Sequence, residues 1–385
     1  MTPAARIQTA AELLGEVLSG VPAEKVLTSW ARRSRFAGSK DRVAVRDHVF
    51  DALRCRRSCA ALGGAMTGRG IMLGWLRMQG GDPAPLFTGG QYTPAVLSEA
   101  ELAGGRVPDG AEALDLPDWL LPLFREGLGN QAEAVALSLR ERAPVMLRVN
   151  LRLTDPAGAI SALAEGGIMA EPDAISRTAL RVLDGARKVS GSRAYADGLV
   201  ELQDGASQAV ADELNLVDGS KVLDLCAGGG GKTLAMAGLS RAQFYAYDAN
   251  PQRMRDLPAR AERAGVVVNI LDDAGDAAPY DLVLCDAPCS GSGAWRRAPE
   301  GKWLLSAEGL ADLNRTQDEI LDRAAGLVAP AGELAYVTCS VLARENLQRI
   351  EAFIARNPGW RVLSERQWLP GPSGDGFYLS RLTQG

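Results

Sequence analysis

Histidine is almost missing from this chain. Its 385 residues hold one, His48, in an arginine-rich helical stretch far along the sequence from the glycine-rich and Pro-Cys motifs. That absence excludes Ser-His-Asp hydrolysis, Cys-His proteolysis and multi-histidine metal sites. Long apolar runs are missing too: none approaches the ~18 residues that span a bilayer, so no membrane contact is expected. Met1–Gly20 reads as an amphipathic helix and lacks the basic head and apolar stretch of a signal peptide. Six cysteines in a chain of this length do not make a disulfide framework, and a reducing cytoplasm is the expected compartment. Cys55 and Cys59 stand four apart on one helix face without a second pair, which points to packing and not to a metal.

What remains is ordinary in bulk and uneven in detail. A hydrophobic content of 46 % with 23 % charged residues is that of a soluble globular protein, and the length allows two or three domains. The net charge of −5 hides a basic front. Residues 1–70 carry 12 Lys and Arg against 6 acids, a local +6. A basic helical module on an acidic body suits a protein that grips phosphates locally, although a solvated helix face has the same composition.

Helical periodicity runs to about residue 75, with Ala11, Leu14, Val17 and Leu18 on one stripe and Val45, Val49, Ala52 and Leu53 on another. Gly80–Asp115 predicts short helices and turns, and Asp118 to about Arg142 another helical segment. Val145–Asn150 reads as a strand, Thr154-Asp155-Pro156 as the start of a helix over Ala157–Ala164, and Ala179–Val182 as a returning strand. From Gly205 strands alternate with helices: Lys221–Leu225, Gln243–Tyr247, Val266–Leu271, Tyr280–Cys285 and Glu333–Val337. That alternation predicts a parallel, doubly wound sheet. The expected domains are therefore 1–130, 131–204 and 205–385.

Three strand ends carry the chemistry. Lys221–Leu225 opens into Cys226-Ala227-Gly228-Gly229-Gly230-Gly231-Lys232-Thr233, a turn that lets backbone approach a ligand closely. Asp248 ends the next strand, where a carboxylate meets a ribose diol. The dinucleotide pattern G-x-G-x-x-G is not met, and Cys226 stands where a P-loop has its first glycine. A nucleoside without a pyrophosphate, such as S-adenosylmethionine, fits better. The other two ends are Asp286-Ala287-Pro288-Cys289 and Val337-Thr338-Cys339-Ser340. Each cysteine alone is better explained by packing. Their paired placement at the carboxyl edge of a sheet, one in the glycine-rich loop Pro288–Gly293, argues for reactive thiols, with Lys232 and the Arg296-Arg297 pair as candidate cations.

Here the chain resembles the RNA cytosine-5 methyltransferases of the Sun/Nop type. The resemblance rests on Leu202–Gln208, Val222–Thr233, Asp286–Gly293 with Arg296, Arg297, Pro299 and Lys302-Trp303, Gln317–Leu321, Tyr336–Ser340 with Glu345-Asn346, and Asp375–Tyr378. Met146–Asn150 resembles that family's small α+β RNA-binding subdomain. Phe36–Arg42 and its surrounding helices resemble the NusB-like N-terminal domain of the bacterial ribosomal-RNA members. Gly80–Asp115 matches poorly. The fold this implies is α/β: a Rossmann-like class I methyltransferase domain, preceded by the α+β subdomain and an all-α NusB-like domain.

The resemblance implies an S-adenosylmethionine-dependent enzyme acting on RNA, with small-subunit ribosomal RNA the expected substrate. A transfer RNA substrate and a non-catalytic RNA-binding assembly factor are the rival readings, and two retained thiols speak against the second. By position Cys339 is the implied nucleophile, Cys289 the cysteine that assists product release, and Asp286 the residue that holds the cytosine edge and borders the cofactor. Cys226, Ala227, Gly228, Gly229, Gly230, Gly231 and Lys232 would wrap the methionine and ribose portion. Asp248 would bind the ribose, and Asp273 (or Asp272) would lie near the adenine. Arg32, Arg33, Arg35, Arg42 and Arg46 are the expected phosphate contacts. One departure stands out: Gly228-Gly229 replaces the family's usual Ala-Pro, which costs the loop order.

Overall fold

The computed structural model describes residues 1–385, which divide into two compact units. The first comprises Met1–Arg142 together with Trp295–Leu305, and the second Ala143–Ala294 with Ser306–Gly385.

The first unit is helical. Its main helices are Pro3–Leu18, Ala23–Arg33, Ser39–Arg54, Arg56–Gly63, Gly68–Met78, Leu120–Leu128 and Ala132–Ser138. Val45, Val49, Ala52 and Leu53 are fully buried, as their spacing predicts. The first helix instead centres its stripe on Ile7, Ala10, Leu13 and Leu14, leaving Ala11, Val17 and Leu18 at the margin of the core. Gly80–Asp115 forms short helices, Ala84–Leu86, Glu99–Ala103 and Gly110–Ala113, joined by turns, as the sequence predicts. The unit continues past residue 130 because Arg140 pairs with the buried Asp115 at 3.2 Å and Arg142 with Asp51 at 2.6 Å. It also recruits a strap from far along the chain. Trp295 stacks on Phe124 with centroids 6.1 Å apart, Lys302 Nζ donates to the Arg54 carbonyl at 3.1 Å, and Trp303 Nε1 donates to the Leu53 carbonyl at 2.9 Å. Sequence order could not announce this strap, since it follows directly on the Pro288–Gly293 loop.

The second unit holds two sheets. The smaller contains β1 (Met146–Val149), β2 (Met169–Pro172), β3 (Ala179–Asp184) and β4 (Val200–Leu202), antiparallel throughout in the order β2-β3-β1-β4. Helix Pro156–Glu165 covers it, with Asp155 capping the Gly158 amide at 2.8 Å and Pro156 in the first turn. In the Met146–Asn150 motif, Arg148 and Asn150 are buried. Arg148 Nη1 donates to the Gly231 carbonyl at 2.8 Å, so it braces the glycine-rich turn.

The larger sheet contains β5 (Lys221–Asp224), β6 (Gln243–Ala246), β7 (Val268–Ile270), β8 (Tyr280–Asp286), β9 (Val328–Thr338), β10 (Trp360–Trp368) and β11 (Phe377–Gln384). Their order is β10-β11-β9-β8-β5-β6-β7. The five expected strands, β5 to β9, form the parallel part. At one edge two further strands extend this sheet, β11 pairing antiparallel with β9 and β10 with β11. Strand β10 exposes most of its length and carries Arg361, Glu365 and Arg366, so it shows no apolar alternation to read.

Candidate functional site

Parallel pairing of β8 with β9 places Asp286 opposite Val337, and the Ala287 amide then bonds the Val337 carbonyl at 2.9 Å. Both cysteine loops therefore leave adjacent strands at the same edge. The Cys289 and Cys339 sulfurs come to 3.4 Å. The loop between Cys289 and Ala294 is pinned where Gly293 and Gly376 cross. The Gly376 amide bonds the Gly293 carbonyl at 2.9 Å, and a Cβ on Gly293 would meet the Gly376 oxygen at 2.2 Å.

A buried carboxylate ties the two loops together. Glu345, wholly buried, accepts hydrogen bonds from the Ser290 amide at 2.7 Å and the Ser340 hydroxyl at 2.6 Å. It also accepts from the Ser290 hydroxyl and from Gln317 Nε2 at 3.2 Å. Each serine directly follows a cysteine. Asn346 holds the other flank: it accepts from the Thr338 hydroxyl at 2.6 Å and donates to the Ser340 carbonyl at 2.9 Å. The Ser292 and Ser340 hydroxyls lie 2.8 Å apart. None of these residues had a role assigned from sequence. The signal lay in their nearness to the cysteines, since Glu345-Asn346 follows Cys339 by one short turn.

The other four cysteines are not placed for thiolate chemistry. Burial pushes the Cys226 thiol up to about 12, with Asp224 and Asp286 adding to it. It drives Cys285 well above the ordinary value, and raises Cys55 and Cys59 inside the helical unit. At the paired site the Cys289 thiol is held high, first by its hydrogen bond to Cys339 and then by burial. Cys289 thus keeps its proton beside Cys339.

Lys232 joins the glycine-rich turn to this pair. Its ammonium donates to Asp286 Oδ2 at 2.7 Å and lies 4.8 Å from the centre of the Phe377 ring. Burial pulls Lys232 down, but Asp286 outweighs it, with Cys339 contributing, so its proton is held above the ordinary lysine value. Lys232 is the cation paired with Asp286 at this sheet edge. Arg296 and Arg297 belong to the helical unit's strap.

The turn Cys226–Lys232 closes over Asp248. The Gly228 amide donates to Asp248 Oδ2 at 2.9 Å, and Asp248 is 3 % exposed. Gly230, at φ +79, caps helix Gly231–Leu239, and a Cβ there would meet Leu257 at 2.2 Å. Beside it lies a cavity of about 300 Å³ lined by Cys226, Tyr247, Asp248, Arg253, Pro288 and Arg323, among others. Asp273 does not line it; its carboxylate caps the Gly275 amide at 2.7 Å and faces Arg323 at 3.7 Å. Asp224, buried at the end of β5, leaves one oxygen without a partner. A side-chain-free turn, a buried acid and a cavity of this size fit a nucleoside with a small charged appendage, as in S-adenosylmethionine. The glycines at 228 and 229 make room for two arginines. Arg253 pairs with Asp248 at 3.0 Å, and Arg260 bonds the Gly229 carbonyl.

The expected phosphate contacts divide. Arg32, Arg33 and Arg35 are exposed. Arg46 forms a two-pronged pair with Glu24 at 2.6 and 2.8 Å, and Arg42 is half-buried against the Ser34 carbonyl.

A doubly wound sheet with a glycine-rich turn, a buried acid on the next strand and reactive groups at the carboxyl edge defines a Rossmann-like methyltransferase. Comparison with known proteins narrows this. Residues 211–383 match the family model of the 16S rRNA methyltransferases RsmB/F, and residues 116–190 match the ferredoxin-like domain of the same proteins. The chain is 36 % identical over 312 residues to ribosomal RNA small subunit methyltransferase B of Xanthomonas campestris, covering 75 % of this chain and 70 % of the relative. Against the protein of the same name from Xylella fastidiosa it is 36 % identical over 313 residues, covering 76 % and 72 %. The crystal structure of a methyltransferase homolog protein from Pyrococcus horikoshii superposes with a TM-score of 0.63 at 20 % identity, over 71 % of this chain and 97 % of that one. The chain belongs to the RsmB/F family of ribosomal RNA methyltransferases.

Proposed function

We propose that this protein methylates carbon 5 of a cytosine in small-subunit ribosomal RNA, in the cytoplasm, through a covalent adduct on Cys339. The observation that carries the reading is the 3.4 Å approach of Cys289 and Cys339 at the same sheet edge as the Lys232–Asp286 pair. Carbon 5 of cytosine is a poor nucleophile. Addition of the Cys339 sulfur to carbon 6 makes the ring enamine-like, and carbon 5 can then take a methyl group. S-adenosylmethionine, held by Cys226–Lys232 and Asp248, supplies that methyl. Asp286 hydrogen-bonds the cytosine edge. Loss of the carbon 5 proton to a base re-forms the ring double bond as the carbon–sulfur bond breaks. Cys289, kept protonated beside Cys339, assists that release. The target base must leave any stack to reach the thiol.

Labelled S-adenosylmethionine and 16S ribosomal RNA, free or in the small-subunit particle, test the reading, with bisulfite sequencing to locate the product. Label on carbon 5 of one cytosine is expected. Label on transfer RNA alone, or none on any RNA, would overturn it.

A further inference from the structure

The helical unit carries a groove of about 840 Å³ that the methyl-transfer site leaves unexplained. Trp30 lies in it, only 7 % exposed, while two other aromatic rings on its lining stand out into solvent: Phe36 is 76 % exposed and Tyr92 75 %. Phe36 is at the turn between helices Ala23–Arg33 and Ser39–Arg54, where the Ala37 amide bonds the Ser34 carbonyl at 3.0 Å.

Tyr92 is held more tightly. Its loop is closed by the Gly89 amide on the Pro94 carbonyl at 2.9 Å and the Thr93 amide on the Gly90 carbonyl at 3.1 Å. The Thr88 and Thr93 hydroxyls add a contact at 2.9 Å. Within this stapled loop Tyr92 has φ +65. A bulky side chain in that region is an outlier, and such strain persists where the surroundings enforce it and function uses the result. Here it fixes an aromatic ring outward.

We propose that this groove binds unstacked bases of a single-stranded RNA segment, with Phe36 and Tyr92 as stacking platforms. The inference rests on the RNA substrate proposed above and adds a site to it. Charge selects RNA over a protein partner. Arg35, next to Phe36 in the chain, and Arg32 are exposed and make no ion pair; on the groove itself Arg33 has only Glu16 at 3.7 Å, and the one acid of the lining, Glu12, accepts from Gln8 at 2.7 Å. Free guanidiniums next to outward rings form the arrangement that tracks a phosphate backbone while bases stack. The groove's polar residues, Gln8, Thr9 and Gln91, interrupt any continuous apolar surface that a protein partner would bury.

Fluorescence titration of the full chain with a short single-stranded oligoribonucleotide carrying 2-aminopurine, and with the same sequence as a duplex, tests this. Binding should quench the single strand. Phe36→Ala and Tyr92→Ala should each weaken single-strand binding roughly 5- to 150-fold, the loss expected for one stacked base. Duplex affinity and the salt slope should stay as in the wild type. Phe36→Tyr and Tyr92→Phe, which keep a ring, should restore binding, and unchanged S-adenosylmethionine affinity and circular dichroism verify folding. Wild-type single-strand affinity in both alanine variants overturns the groove, as does an equal loss on duplex, and pull-down of a protein by wild type but not by those variants would then reassign it. The two readings separate cleanly. A wild type that methylates ribosomal RNA while the alanine variants bind normally sinks the groove alone. One that binds and quenches but transfers no methyl sinks the proposed reaction alone.

Discussion

Glu345 reaches Ser340 with a hydrogen bond of 2.6 Å, and Ser340 is the residue after Cys339. The same carboxylate holds the Ser290 amide at 2.7 Å, so one buried group sets the spacing of both thiols. Removing it takes away an acceptor that four donors share, at about 1–3 kcal/mol for each left buried without another partner. Glu345→Ala is therefore expected to lower the denaturant midpoint strongly. Glu345→Gln, which keeps one acceptor oxygen, should fold and bind S-adenosylmethionine within about twofold of wild type, yet form the RNA adduct at least ~10-fold more slowly, near 1.4 kcal/mol of lost positioning. Rapid-quench adduct formation against cofactor titration decides it; equal effects on both would reduce Glu345 to a packing role.

The two cysteines should fail differently. Cys339→Ala is expected to lose more than ~100-fold in turnover, about 3 kcal/mol, with S-adenosylmethionine affinity intact. Cys289→Ala should leave attack by Cys339 in place and stall release, so a covalent protein–RNA band appears on a denaturing gel. A band with Cys339→Ala and none with Cys289→Ala would reverse the assignment.

Asp224 gives a pH signature. Burial raises its carboxyl to about 7 from the ordinary 3.8, and the Thr233 hydroxyl only partly offsets this. Below about pH 4 the group is protonated folded or unfolded, and stability is undiminished. Between about pH 4 and 7 the unfolded chain ionises first, so stability falls as pH rises, by about 1.4 kcal/mol per unit of pKa difference at most. Above about 7 the loss is complete. Asp224→Asn should flatten this window and gain on wild type at pH 8, as read from urea midpoints at pH 5 and pH 8. Parallel curves for the two proteins would show that Asp224 ionises normally when folded.

Salt dependence tests the basic front. Substituting Arg32, Arg33 and Arg35 together by Gln should flatten the log–log salt slope of RNA binding by roughly 0.7–0.9 for each phosphate no longer neutralised. Cofactor affinity should not change. Arg46→Gln should leave the slope alone, because Glu24 already neutralises that guanidinium. An unchanged slope in the triple variant would return these arginines to a solvated helix face.

Local patterning determined much of this protein. Apolar runs bounded by turn residues marked the five parallel strands, and Asp155-Pro156 marked a helix start, because strand burial and capping are decided within a few residues. The same locality placed Cys289 and Cys339 at strand ends. Their meeting at 3.4 Å across 50 residues of chain depended on β8 and β9 being neighbours in register, which no local signal encodes. The charged edge strand β10 was hidden for the reverse reason: an exposed strand needs no apolar period. The strap Trp295–Leu305 was decided by packing alone, since Trp295 and Lys302 are buried by helices that precede them by well over a hundred residues. Glu345 shows the division most sharply. A glutamate in sequence is by default a solvated charge, and only the folded loops supply the donors that make its burial stable.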